Sequence, residues 1–104
     1  MRGIVVLTTA PDAKTARALA KRLVAGRSAA CVSVKEGFVS YYRWKGKVVK
    51  AQEALLLIKS EKGKFAKIKR TLQAAHPYEV PEIISLPIVQ GSSEYLSWLS
   101  ASLK

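Results

Sequence analysis

The sequence predicts an α+β fold in which two β-α-β units share one antiparallel sheet, and three observations carry this. A short apolar run at residues 3–9 is followed by a helix-period pattern at 11–25. Residues 29–60 then read as one long β-hairpin, its arms rich in β-branched and aromatic residues. A second helix pattern at 62–75 leads into a strand at 81–89.

Each element has its own local reason. The first run, GIVVLTT, has the composition of a central strand apolar on both faces. Thr9-Ala10-Pro11-Asp12 matches a helix-start signal with Thr9 as the cap, and Pro is tolerated in a first turn. Ala13, Ala16, Leu19, Ala20, Leu23 and Val24 fall on one face of the first helix, with basic residues largely opposite, and Gly26 stops it. In the hairpin, Trp44-Lys45-Gly46-Lys47 is the turn, with Gly46 supplying a positive φ. Arms of about 14 residues would reach roughly 45 Å, far beyond the usual strand. A bulge or bend at Lys35-Glu36-Gly37 and pairing of the tip with another chain are both expected.

Phe65, Ile68 and Leu72 form the stripe of the second helix, which Pro77 ends. Pro87 demotes the last strand to an edge. Gly91-Ser92-Ser93 offers a turn and a serine cap to a short terminal helix with Tyr95, Leu96, Trp98 and Leu99 on its apolar face. This order is that of the ferredoxin-like sandwich, with strands 1 and 3 central and strands 2 and 4 at the edges. A long aromatic edge strand is an aggregation hazard unless another subunit covers it, so self-association is expected.

At 104 residues the chain suits one domain. It has no apolar run of membrane-spanning length and no signal-peptide pattern at its start, and its lone Cys31 suits a reducing, cytoplasmic setting. The net charge of +11 is scattered along the chain, without a nucleic-acid motif, so nucleic acid is an unlikely partner and a solvated surface the expected reading.

Few residues offer chemistry. His76, the only histidine, is open to three readings: helix C-terminal cap, general base or metal ligand. Cys31 is expected to be a small buried hydrophobe. Glu53, just before the apolar run of strand 3, needs a Lys, Arg or Tyr partner or lines an inter-subunit cleft. Lys59 either holds an anionic ligand or snorkels to solvent. Tyr41, Tyr42 and Trp44 suit an oligomer interface better than single-stranded nucleic acid. Tyr95 and Trp98 are expected to pack, with Tyr95 also able to close a cleft. No catalytic triad, Walker loop or paired-carboxylate motif is present, and no enzyme is expected.

Taken together, VVLTTAPD, SAACVSV, YYRWKGKV, EALLLIKS, HPYEVPEIISLPI and EYLSWLSASL, in this order and spacing, resemble the CutA family of divalent-cation tolerance proteins. The resemblance implies a ferredoxin-like homotrimer with Tyr41, Tyr42, Trp44 and Trp98 at its interfaces. It implies interface clefts involving Glu53, Lys59, Tyr78 and Tyr95, and a role in copper or other divalent-metal tolerance. The family's metal-binding cysteine and paired histidines are represented by Thr8 and Ala75-His76, so only His76 carries over, with the carboxylates Glu53, Glu79 and Glu82 as replacement ligands giving a harder, weaker site. The alternatives are a sensor of a small anionic metabolite, resembling the PII signalling proteins, and a non-catalytic scaffold.

Overall fold

The structure, a computed structural model, describes residues 2–104. Its elements are β1 (Gly3–Ala10), α1 (Ala13–Ala25), β2 (Cys31–Trp44), β3 (Lys47–Glu61), a single 3-10 turn (Lys62–Lys64), α2 (Phe65–Ala75), β4 (Ile84–Pro87) and α3 (Ser93–Ser102). The strands form one antiparallel sheet in the order β2-β3-β1-β4, the ferredoxin-like arrangement with β1 and β3 central.

Alternation along the strands sorts the sheet into two faces. Ile4, Val6, Thr8 and Ala10 of β1, and Ala54, Leu56, Ile58 and Ser60 of β3, point to the helices and are buried. Against them α1 lays Ala16, Leu19 and Leu23, and α2 lays Ile68 and Leu72. The core is sealed by Ser60, whose hydroxyl donates to the Ser28 carbonyl at 2.6 Å. Thr8 is the exception: its Oγ1 is fully buried and has no hydrogen-bond partner in the structure. Thr8→Val removes an unsatisfied hydroxyl while keeping shape, and is expected to raise stability by about 1 kcal/mol in a denaturant titration.

The opposite face is apolar and only partly covered. Leu86, Val5 and Lys59 form one cross-strand row, and Ile84, Leu7 and Leu57 the next. Ile84 and Leu86 are each 49% exposed. α3 packs against β3, burying Leu99 and Leu103.

Several boundaries differ from the sequence reading. The cap of α1 is Asp12, whose carboxylate accepts from Thr15 N at 2.7 Å. Thr9 cannot serve, because pairing with Leu55 holds it in β1. Hydrogen bonding to Thr15 pulls the Asp12 carboxyl below the usual range. Gly26 ends α1 as expected, but the left-handed residue is Arg27 (φ 58°). α2 starts at Phe65, the three residues before it forming the 3-10 turn. β4 is four residues, Ile84–Pro87, rather than 81–89; it pairs with Leu7 to Ile4 of β1 and ends at Pro87, which has no N–H to give the ladder.

The hairpin is continuous apart from the expected bulge, where Glu36 and Gly37 stand between the Lys35–Leu55 and Phe38–Glu53 pairs. Gly37 takes φ +69°, open to glycine at no steric cost. The turn is two residues, Lys45 and Gly46, both with positive φ (50° and 79°), the pairing of signs that matches strand twist. β1 ends opposite Ala54, so the distal hairpin is a two-stranded ribbon, which stretches the molecule to 44 Å.

Candidate functional site

Where the ribbon leaves the sheet, a groove of about 840 Å³ opens between it and the segment joining α2 to β4. Phe38 to Tyr42 and Trp44 wall one side, Pro77 to Glu82 the other, with Thr9 and Glu53 between. The groove exists because α2 ends at His76 and β4 begins only at Ile84, leaving the chain to cross the end of β1 without regular structure.

His76 holds that crossing in place. It is the C-cap residue of α2, with its backbone N–H donating to Leu72 O at 2.8 Å. Its ring lies 2.6 Å from the Thr9 carbonyl through Nε2, and Nδ1 accepts from Tyr78 N at 3.1 Å. A carbonyl can only accept and a backbone N–H can only donate, so Nε2 donates to Thr9, Nδ1 accepts from Tyr78, and both nitrogens are engaged. Of the three roles open to it, the fold uses His76 as a clamp between α2, β1 and the groove wall.

Glu53 is buried (7% exposed) and receives the Tyr78 hydroxyl on Oε2 at 2.6 Å. Burial and the bond to Glu53 hold the Tyr78 phenol well above its ordinary pKa. Partial burial, with the Glu53 charge nearby, pushes the Glu82 carboxyl up. The folded state therefore binds this proton more tightly than the unfolded state. That linkage subtracts stability as pH rises from the ordinary glutamate range through the raised folded value. Glu82→Gln is expected to stabilise the protein at pH 7, by under about 1 kcal/mol given its exposure, and to change nothing near pH 3. Melting temperatures across that range check it.

The structure thus brings Glu53, Tyr78, Glu79 and Glu82 to one groove, together with Tyr41, Tyr42 and Trp44. It leaves two expected cleft residues elsewhere in the chain. Lys59 lies on the partly covered sheet face, donating to Ser33 Oγ at 2.6 Å and 3.8 Å from Cys31 Sγ. Cys31 beside it is half-buried, less enclosed than the sequence suggests, because it stands on edge strand β2. Tyr95 lies against Trp98 on α3, ring centroids 5.5 Å apart, both side chains exposed.

The proposed ligand set of His76, Glu79 and Glu82 is not assembled within one chain. Among the described residues no three His, Cys, Asp or Glu side chains stand close enough to hold a metal ion, and both His76 nitrogens are committed. What sequence reading missed is the sign of the groove. Three of the chain's seven acidic residues line it, and none of its 18 Lys and Arg does. The three carboxylates are those the resemblance offers as replacement ligands; what the sequence conceals is that every Lys and Arg, Lys59 among them, stays out of the groove.

Comparison with known proteins gives a consistent answer. The model of the CutA1 divalent ion tolerance protein family matches residues 4–102. The divalent-cation tolerance protein CutA of Thermus thermophilus is 53% identical over 95 residues, 91% of this chain and 92% of that protein. The solved structure of the Thermus thermophilus divalent cation tolerance protein superposes with a TM-score of 0.91 at 52% identity, covering 93% of this chain and 94% of that one. The crystal structure of CutA from Xylella fastidiosa gives a TM-score of 0.95 at 37% identity, covering 98% of both chains.

Proposed function

The chain belongs to the CutA1 divalent ion tolerance family, and from that premise we propose that it is a non-enzymatic, cytoplasmic homotrimer that binds divalent cations weakly in grooves shared between copies. The observation that carries this reading is the groove lining: Glu53, Glu79 and Glu82, with no Lys or Arg, in a chain of net charge +11. Such a site attracts cations from a surface that otherwise repels them. The same lining disfavours an anionic metabolite there.

Copper is a poor match to the residues of one chain. The imidazole is engaged on both nitrogens, and Cys31 lines no part of the groove. Carboxylates suit a harder ion such as Mn²⁺ or Mg²⁺, and a second copy would have to complete the coordination. Self-association is supported by the partly covered apolar sheet face and by the exposed aromatic ribbon, on which Tyr41 is 68% exposed. Among the described residues no helix is long and apolar enough to cross a membrane. The unpaired Cys31 suits a reducing compartment.

Calorimetric titration with Mn(II) and with Cu(II), alongside native mass spectrometry, tests the proposal. A trimer mass is expected, with Mn(II) binding at a dissociation constant of roughly 0.1 mM. The double variant Glu79→Gln/Glu82→Gln should weaken it at least tenfold. A monomer mass, no heat with either ion, or binding indifferent to that variant would refute it.

A further inference from the structure

The helical layer has a property that the groove does not explain. α1 carries Lys14, Arg17, Lys21 and Arg22; the 3-10 turn and α2 carry five more lysines and arginines. Neither helix nor the turn contains a single Asp or Glu. These elements therefore hold nine positive charges and no negative one, against a net +11 for the whole chain. Along the sequence the cations fall into two clusters some forty residues apart, which is why they read as scatter.

The fold joins the clusters. α1 and α2 bury Leu19, Leu23, Ile68 and Leu72 in the same core, so they lie side by side on one sheet face. Lys67 of α2 reaches across to the Gly26 carbonyl at the end of α1, 2.7 Å away. Burying these apolar stripes turns the cations outward: all four on α1, and Lys67, Lys69 and Arg70 on α2, are exposed. Asp12, Glu36 and Glu61 stand only at the margin, and among the described residues the one ion pair is Arg17–Glu36 at 2.9 Å. A patch of this kind carries a self-repulsion that solubility alone does not require, and a polyanion relieves it.

We propose that the outer face of α1 and α2 binds the phosphate backbone of double-stranded nucleic acid without sequence preference. The chemistry of the face selects this partner. Between the cations, both helices expose small or polar side chains such as Ala18, Ala66, Gln73 and Ala74, with Val24 the largest apolar one. No aromatic side chain is exposed there to stack on unpaired bases, and nothing bulky is available to anchor in a bilayer. A helix of 13 residues runs about 20 Å, the length of roughly six base pairs, and Lys14, Lys21, Arg22, Lys69 and Arg70 make no ion pair among the described residues, so contacts to about four to five phosphates are expected. The face lies on the side of the sheet away from the exposed Ile84 and Leu86, so self-association through those residues leaves it free.

Fluorescence anisotropy of a labelled 20-base-pair DNA duplex, titrated with the full-length protein between about 50 and 200 mM KCl, tests this. Binding is expected to weaken with salt along a logarithmic slope of about −4. The variant Lys21→Gln/Arg22→Gln/Lys69→Gln/Arg70→Gln, all at exposed positions, should lose at least about tenfold in affinity at the lowest salt and flatten the slope by about three. Its melting temperature should be no lower than that of the parent, since the substitutions relieve repulsion. The hairpin variant Lys45→Gln/Lys47→Gln/Lys50→Gln should bind as the parent does. Equal losses in both variants would reduce the effect to net charge and overturn the proposal. So would tighter binding to a single strand of the same length, competition by phosphatidylserine vesicles at equal phosphate, or no binding at the lowest salt.

Discussion

His76→Ala is expected to destabilise the protein by about 3 kcal/mol, read as a lower denaturant midpoint with the slope unchanged. The imidazole donates to the Thr9 carbonyl and accepts from the Tyr78 amide. Alanine leaves both backbone groups without partners at a site only 9% exposed. The loss would also free the crossing that forms one groove wall, so Tyr78 would no longer be held against Glu53. His76→Gln separates the two bonds. Its amide can replace Nε2 as donor to Thr9 but leaves Tyr78 N unpaired, so about half the loss is expected. A full loss in the glutamine variant would count against this account. The result bears on function too: a metal-binding defect in His76→Ala would reflect a disordered groove, which is why the groove carboxylates are the sounder probes.

Leu56→Ala should cost more, about 3–5 kcal/mol, through lost burial and the cavity left behind. Leu56 is fully buried on β3, a central strand, with Thr8 of β1 and Val34 of β2 as its direct neighbours in the sheet. Those neighbours are anchored by two strand pairings and cannot collapse into the space. Thermal and denaturant unfolding measure the loss, and a cost below about 1 kcal/mol would mean that the core repacks freely.

The two results probe different kinds of information in the chain. The role of Leu56 is legible in the sequence, since alternation in Ala54, Leu56 and Ile58 already marks one face of a buried strand. His76 is not legible in the same way. The carbonyl of Thr9 that accepts from it is 67 positions away, and nothing in the HPYEVPE stretch says that both ring nitrogens are taken. Local periodicity reports which face of an element is dry; it carries no record of which distant backbone carbonyl comes to rest beside a side chain.

By itself the sequence determined the order of elements, the central and edge strands, the bulge before Phe38, the two-residue turn and the serine cap on α3. Those follow from hydrophobic period, glycine and proline chemistry and capping, which act over a few residues. Only the tertiary structure decided the rest. It set Tyr78 against Glu53, moved Lys59 and Tyr95 away from the groove, and gathered three carboxylates on one side and nine cations on another. The physical reason is that electrostatics acts through space. Residues remote in the chain add their charges wherever packing brings them together, and packing is settled by the apolar faces rather than by the charges themselves.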